Sequence, residues 1–432
     1  MKKTTGPDFR ELLFDALRWV IAIVASVAVV AILQLSYNAL DMGSAGSASA
    51  PGEIEYLQAE APAAKENGVV ASDAWAEIYP EIVASYHANS DNDYRISYLE
   101  EDPYLVNLYE GYGFAKDYTS AIGHEYCLED VANTERPHPL ANCLTCKTAD
   151  FTKLVNDLGV QAYSMEFDTV FPDMSENVGC YNCHGNEAGN AGKLVVTHDY
   201  TYNSLGDDIS SIDAATLSCG QCHIEYYFDP DTKATTAPYT SLATMNPDDM
   251  LAYYNERGFS DWVQESTGTG LLKAQHPELE TFMGEGSQHI GFGLSCADCH
   301  MEKSVSESGV TYSNHTLVSP LSSDYILGTC TQCHGDTDMA KKVHDIQDQV
   351  TAKEREVGNA LSELNDKLTE AVASGSYTDN ELDAIRELYR AGQWYFDYVS
   401  VENSEGAHNS TLAKTCLDKA ADCVEQALAL FK

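Results

Sequence analysis

The sequence predicts a mainly α fold, with long helices at the C-terminus and few or short strands. Three observations carry this. Apolar residues recur at helical spacing from Asp338 onward. No convincing run of alternating apolar and polar residues marks a strand. Five Cys-x-x-Cys motifs divide the middle of the chain into pieces that suit short helices and loops.

Taken in order, residues 1–14 form a short N-terminus carrying Lys2, Lys3 and Arg10. Residues 15–36 contain an apolar run at 19–35, and about 20 such residues span a bilayer. The basic residues ahead of the run place the N-terminus in the cytoplasm and the bulk of the chain outside it. A cleaved signal peptide is the alternative reading, although the small residues at 43–50 lie far beyond the run for ordinary cleavage. Residues 37–70, rich in Ser, Gly, Ala and Pro at 43–52, read as a flexible linker. A globular region follows from about Trp75, long enough for a large core. Residues 338–373 predict one long helix, 381–401 a second and 410–431 a third. A Gly-Ser-Tyr-Thr-Asp break lies at 375–379, and Thr378 with Glu381 has the spacing of a capping box.

Charge narrows the partners. The chain has 67 acidic and 25 basic residues, a formal net charge of −42. Phosphate backbones need basic surface, so nucleic-acid binding is excluded. An acidic exterior suits docking of a cationic electron donor. An anionic substrate must then enter through a locally positive channel.

The Cys motifs carry the chemistry. Four read Cys-x-x-Cys-His: Cys180, Cys183 and His184; Cys219, Cys222 and His223; Cys296, Cys299 and His300; Cys330, Cys333 and His334. In this pattern two thiols attach a c-type haem and the following His binds its iron. The first motif in the chain ends differently, with Cys143, Cys146 and Lys147. A zinc ribbon would pair CxxC knuckles without a His after each second Cys. The expectation is therefore a multihaem cytochrome c fold with five covalently bound haem c groups. Attachment of haem c is extracytoplasmic, in keeping with the N-terminal reading. Ten of the 13 Cys are used; Cys127, Cys416 and Cys423 remain. Cys416 and Cys423 stand roughly 10 Å apart along a helix, too far to bridge each other. A disulfide from Cys127 to either, or free thiols at all three, are both open.

Iron also needs ligands on its other face. Nine further His are available: 87, 124, 138, 198, 276, 289, 315, 344 and 408. That is enough to cap four bis-His haems, which then serve electron transfer. Lys147 binds iron only as a neutral amine, so burial and coordination must hold it unprotonated. An iron held by Lys147 and left open opposite describes a multi-electron reductase of a small ligand.

The chain resembles the ammonia-forming cytochrome c nitrite reductases, pentahaem enzymes that reduce nitrite to ammonium. The resemblance runs from about Trp75 to the C-terminus. It rests on the order of the five motifs, on Gly111-Tyr112-Gly113-Phe114 leading to Gly123-His124, and on Cys222-His223-Ile224-Glu225-Tyr226-Tyr227-Phe228. Lys273-Ala274-Gln275-His276-Pro277-Glu278, Tyr312-Ser313-Asn314-His315 and Glu402-Asn403-Ser404-Glu405-Gly406-Ala407-His408 extend it. It implies a pentahaem catalytic region over 71–336. It also implies a long-helix region over 337–432 that contributes a haem ligand and a homodimer contact. Lys147 becomes the proximal ligand of the catalytic haem. Arg136, Tyr226 and His276 become its distal-pocket residues. His124, His289, His315 and His408 become the distal ligands of the wire haems. Glu225, Tyr226, Lys273 and Gln275 would hold one Ca2+, an ion suited to hard oxygen ligands. The donor would be a membrane quinol-oxidising multihaem cytochrome. Two departures stand out: Pro137-His138 after Arg136, and Ala121-Ile122 where the family often has Pro-Arg.

The chemistry suits these residues. His276, expected to titrate near neutrality, supplies protons. Arg136 holds the anion, Tyr226 donates a hydrogen bond, and calcium adds fixed positive charge. His87, His138, His198 and His344 read as surface or structural residues. Two other functions fit the same motifs: a multihaem reductase acting mainly on hydroxylamine, sulfite or tetrathionate, and a non-catalytic electron-transfer cytochrome.

Overall fold

The computed structural model describes residues 60–91, 94–120, 122–186 and 193–432. The expected cytoplasmic N-terminus, the membrane anchor at 15–36 and most of the linker lie outside these residues. No helix among the described residues is long and apolar enough to cross a membrane.

The fold is mainly helical, as expected. Short helices and turns fill the region up to residue 336. Four of them matter for the site: α1 (Cys180–His184), α2 (Ala214–Gly220), α3 (Cys296–His300) and α4 (Asp324–His334). Strands are confined to three small antiparallel hairpins: β1 (Tyr227–Phe228) with β2 (Thr235–Thr236), β3 (Trp262–Gln264) with β4 (Thr269–Leu271), and β5 (Lys303–Val305) with β6 (Thr311–Ser313).

Three long helices end the chain: α5 (Met339–Ser374), α6 (Asp379–Ser400) and α7 (Ser410–Leu428). Their bounds follow the sequence pattern closely. Asp338 caps α5 by accepting from the Lys341 amide, and Gly375 ends it in a left-handed turn. The Thr378–Glu381 capping box forms, with both reciprocal bonds in place. The three helices bury Val357, Leu361, Leu364 and Leu368 of α5 against Tyr389, Trp394 and Tyr398 of α6 and Leu417 and Val424 of α7. Trp394 is fully buried and donates its indole N–H to the Pro247 carbonyl at 2.9 Å. That bond ties the bundle to the region carrying the motifs. Cys416 packs into the same core, and Cys127, Cys416 and Cys423 are all free thiols.

The linker ends earlier than the sequence suggested. Val69 and Val70 are buried, and Lys65 and Asn67 reach across to Asp150. Asp150, its side chain fully enclosed, takes Lys65 Nζ at 2.6 Å, Asn67 Nδ2 at 2.5 Å, and the Ser175 and Glu176 amides at 2.8 and 2.9 Å. Burial alone would push this carboxyl up. The Lys65 ammonium and the hydrogen bonds outweigh it and hold it below the usual range. A carboxyl held down stabilises the fold above its unfolded value, near 4, and that stability is lost as pH falls through its folded value. Asp150→Asn is therefore expected to lose about 1–3 kcal/mol at pH 7, with Lys65 still partly solvated. The loss should be smaller at pH 3, where the carboxyl of the unfolded chain is largely protonated, than at pH 7. Urea titrations at the two pH values check this; an equal loss at both would contradict the assignment.

Candidate active site

The motifs differ in local structure. In α1 and α3 both Cys and the following His share one short helix, and in α4 they form its last turns. Residues three apart lie on one helix face, so each pair of thiols points the same way. The motif at Cys219 begins at the end of α2 and closes in a turn. The Lys motif is built otherwise. Residues Ala141–Leu144 form a tight helical turn, and Cys146 then takes a φ of 60°. That region costs a residue with a Cβ about 1–2 kcal/mol, and such outliers cluster at functional sites. Lys147 is thus presented from a turn, not from a helix. Leu144, Phe151 and Tyr163 form the small core that supports it.

The thiols of successive motifs come together. Cys146 and Cys222 bring their sulfurs within 4.8 Å of each other, and Cys219 lies close enough to Cys296 for each thiol to influence the other. Cys183 Sγ lies 3.7 Å from the Ser218 carbonyl oxygen, and Cys299 lies within electrostatic range of Cys330. The Cys219 motif is therefore central, touching the Lys motif on one side and two His motifs on the other. Cys146, Cys222 and His198 bring three donor atoms within 4.8 Å of one another. Two motif thiols and the His198 imidazole fall one donor short of a tetrahedral zinc site. His198, read from the sequence as surface or structural, is buried with Nε2 3.2 Å from Cys222 Sγ.

The imidazoles pair across the molecule. His184 faces His315 with ring centroids 6.3 Å apart, His289 faces His334 at 6.5 Å, and His300 faces His408 at 6.1 Å. Two metal–nitrogen bonds of about 2.0–2.1 Å plus the inner half of each ring give roughly this spacing. Each pair joins one motif His to one distant in sequence. The outer nitrogens have partners: Nδ1 of His184 donates to the Lys193 carbonyl at 3.0 Å, His300 to Val318 at 3.2 Å, and His315 to Ser313 at 2.8 Å. His408 Nδ1 meets Glu402 Oε1 at 2.6 Å. An engaged Nδ1–H leaves Nε2 as the metal-binding atom. The rings stand in slots. The His223 side chain is 47% exposed, so open space adjoins its ring. A planar group fits such a gap, and the donor set is that of c-type haem.

His223 has two imidazole neighbours. His276 lies 6.3 Å away, but both rings turn Nδ1 toward Glu278, at 3.8 Å for His223 and 4.0 Å for His276. They share a carboxylate, which is not the geometry of two ligands on one iron. His124 is the other neighbour. Burial pushes it down to about 4, and the His223 and Lys147 charges push the same way.

Around Lys147 the structure gathers the expected pocket residues. Arg136 donates from Nε to the Asp117 carbonyl at 2.7 Å. Thr134 donates to the Asp117 carboxylate at 2.8 Å and accepts from the Arg136 amide at 3.2 Å. Burial, then Cys146, Cys143 and Glu225, push the Tyr226 phenol up, and the Arg136 guanidinium opposes them. Burial pushes His276 down to about 4; Glu278 opposes, while His223 and Lys147 add to it. The expected near-neutral titration of His276 is thus corrected: desolvation makes the imidazole neutral at pH 7. Its Nδ1 is buried without a hydrogen-bond partner. Sequence reading missed Asp117, which clamps Arg136, and Tyr118, whose phenol also feels Arg136. Neither carries a motif that would have singled it out.

Beside the pocket lies a cluster of enclosed acids. Glu225 accepts from the Gln275 amide at 2.6 Å and from Tyr254 at 3.0 Å. Glu280 accepts from the Glu225 amide at 2.9 Å. Lys273 donates its amide to Asp261 at 2.8 Å and its ammonium to Asp397 at 3.0 Å. Gln275 Nε2 meets the Lys273 carbonyl at 3.3 Å. Burial drives Glu225 well up, Asp261 up to about 7 and Glu280 up to about 8. Lys273 answers Asp397, and the rest of the cluster favours a further cation. The expected calcium residues Glu225, Lys273 and Gln275 are in mutual contact, with Tyr226 adjoining.

Comparison with known proteins agrees with this geometry. The family model of cytochrome c552 matches residues 71–432. Cytochrome c-552 of Desulfotalea psychrophila is 32% identical over 378 residues, covering 82% of this chain and 72% of that protein. The catalytic subunit of cytochrome c nitrite reductase from Desulfovibrio desulfuricans ATCC 27774, whose structure is described with two calcium sites, superposes with a TM-score of 0.74. It is 28% identical, over 84% of this chain and 86% of that one.

Proposed function

This chain belongs to the cytochrome c552 family of multihaem nitrite reductases, and from that premise we propose that it reduces nitrite to ammonium at a haem held by Lys147. Four further haems would relay electrons to it. They would be held by His184 with His315, His223 with His124, His300 with His408, and His334 with His289. One observation carries the reading. Three motif histidines already face a distal imidazole at the spacing of an intervening iron, whereas Lys147 shares its surroundings with Arg136, Tyr226 and His276.

A haem held by Cys143, Cys146 and Lys147 would supply the redox-active iron that nitrite reduction needs. The protein's residues do the rest. Arg136, clamped by Asp117, binds the anion and stabilises negative charge. His276, neutral before nitrite arrives, gains proton affinity as the anion settles beside it. It then delivers protons to the departing oxygens. The full reaction takes six electrons and eight protons, so His276 must be reprotonated repeatedly. Tyr226 donates a hydrogen bond. A Ca2+ held by Glu225 and Gln275 side chains and the Tyr226 and Lys273 carbonyls would neutralise the buried acids. We further propose an extracytoplasmic enzyme anchored through residues 15–36. It would pair as a homodimer through its long C-terminal helices and be fed by a membrane quinol-oxidising multihaem cytochrome.

The test is haem stoichiometry by pyridine haemochrome together with a nitrite-to-ammonium assay driven by a reduced viologen. Five haems, one of them high-spin and cyanide-binding, with ammonium as product, are expected. Comparison of kcat/KM for nitrite, hydroxylamine and sulfite sets the preferred substrate. A protein whose haems are all six-coordinate and low-spin, and which binds neither nitrite nor cyanide, is an electron carrier and not this enzyme.

A further inference from the structure

Resting on the reading that His300 and His408 hold one iron between them, we propose that Glu402 is a positioning and tuning residue for that haem. Its buried carboxylate accepts the Nδ1–H of His408 and, by charging the imidazole, keeps this iron harder to reduce than the one between His184 and His315.

The two centres differ in what their outer nitrogens meet. At the His184–His315 pair both acceptors are neutral backbone carbonyls, of Lys193 at 3.0 Å and Ser313 at 2.8 Å. At the other pair His300 meets the Val318 carbonyl at 3.2 Å, but His408 meets a carboxylate oxygen at 2.6 Å. Glu402 is only 5% exposed, so water does little to screen it. A carboxylate acceptor draws the Nδ1 proton toward itself and makes the ligand a stronger electron donor. That favours the oxidised metal.

The loop is built to hold this contact. Ser404 Oγ donates to the second carboxylate oxygen at 2.5 Å and accepts from the His408 amide at 3.0 Å. Gly406 turns the chain at a φ of +86°, and a Cβ there would stand 2.6 Å from Val350 of α5. Asn409 then caps α7 through the Leu412 amide and anchors to the Thr281 carbonyl, both at 3.1 Å. One electron passes on and off this haem and no atom is transferred. Its lowered potential makes it a step that electrons cross without collecting there.

A Glu that merely fastened the loop would look similar, so two variants are needed. Glu402→Gln keeps the size and an acceptor oxygen but removes the charge. Ser404→Ala removes the competing donor and leaves more charge facing His408. Spectroelectrochemical titration of the full holoprotein, with EPR to identify the haem, reads the result. Glu402→Gln should make one haem about tenfold easier to reduce, about 59 mV for one electron, with the others unmoved. Ser404→Ala should shift the same haem the opposite way. Unmoved potentials, or shifts of the same sign in both variants, would overturn the proposal. His408→Ala separates it from its premise. If no low-spin haem becomes high-spin in that variant, the ligation reading fails and takes this inference with it. A converted haem alongside unmoved Glu402→Gln potentials overturns this inference alone.

Discussion

Lys147→Leu is expected to retain its covalently attached haem and to lose nitrite reduction. On the proposed reading Cys143 and Cys146 would hold the macrocycle through their own bonds, and Leu144, Phe151 and Tyr163 support that segment without help from the amine. Leucine matches much of the lysine's volume and offers no donor. Arg136, Tyr226 and His276 are untouched, so the anion-binding side of the pocket persists. The loss should be on the order of 10³-fold in kcat, about 4 kcal/mol of barrier. Pyridine haemochrome content close to wild type, with a viologen-coupled assay showing that fall, is the expected pair of results. Full activity with full haem content would show that Lys147 is not the ligand that matters.

His276→Ala is expected to lower kcat by about 10²–10⁴-fold, the usual share of a positioned proton donor, while KM changes less than about tenfold. Arg136 remains to hold nitrite, so binding survives and proton delivery does not. A structural role for His276 is a weak rival. Its Nδ1 is buried without a hydrogen-bond partner and has only the Glu278 carboxylate at 4.0 Å, a weak structural return for a buried polar atom. The variant should therefore melt close to wild type. Steady-state kinetics across pH, with haem content as control, decides the matter. Unchanged turnover removes the proton role, and a rise in KM alone would reassign His276 to anion binding.

Local pattern and long-range packing contributed differently to what could be read in advance. The 3.6-residue stripe from 338 onward and the Thr378–Glu381 capping box are short-range signals, and α5, α6 and α7 follow them. The scarcity of strands was equally visible. The linker's end was not. Lys65 and Asn67 look like ordinary tether residues until Asp150 comes to meet them. The titration of His276 also escaped, because its shift comes from desolvation by residues gathered from elsewhere in the chain.

Sequence alone determined the motifs: which thiols are paired in Cys-x-x-Cys, which motif has Lys147 in place of His, and which histidines are available as partners. Covalent attachment is a matter of neighbouring residues, so spacing records it. Only the tertiary structure decided that His184 meets His315, His300 meets His408 and His289 meets His334. The same holds for Asp117 clamping Arg136 and for the burial of Glu402 against His408. Those contacts arise when distant segments pack into one core, and spacing along the chain carries no record of separations closed by folding.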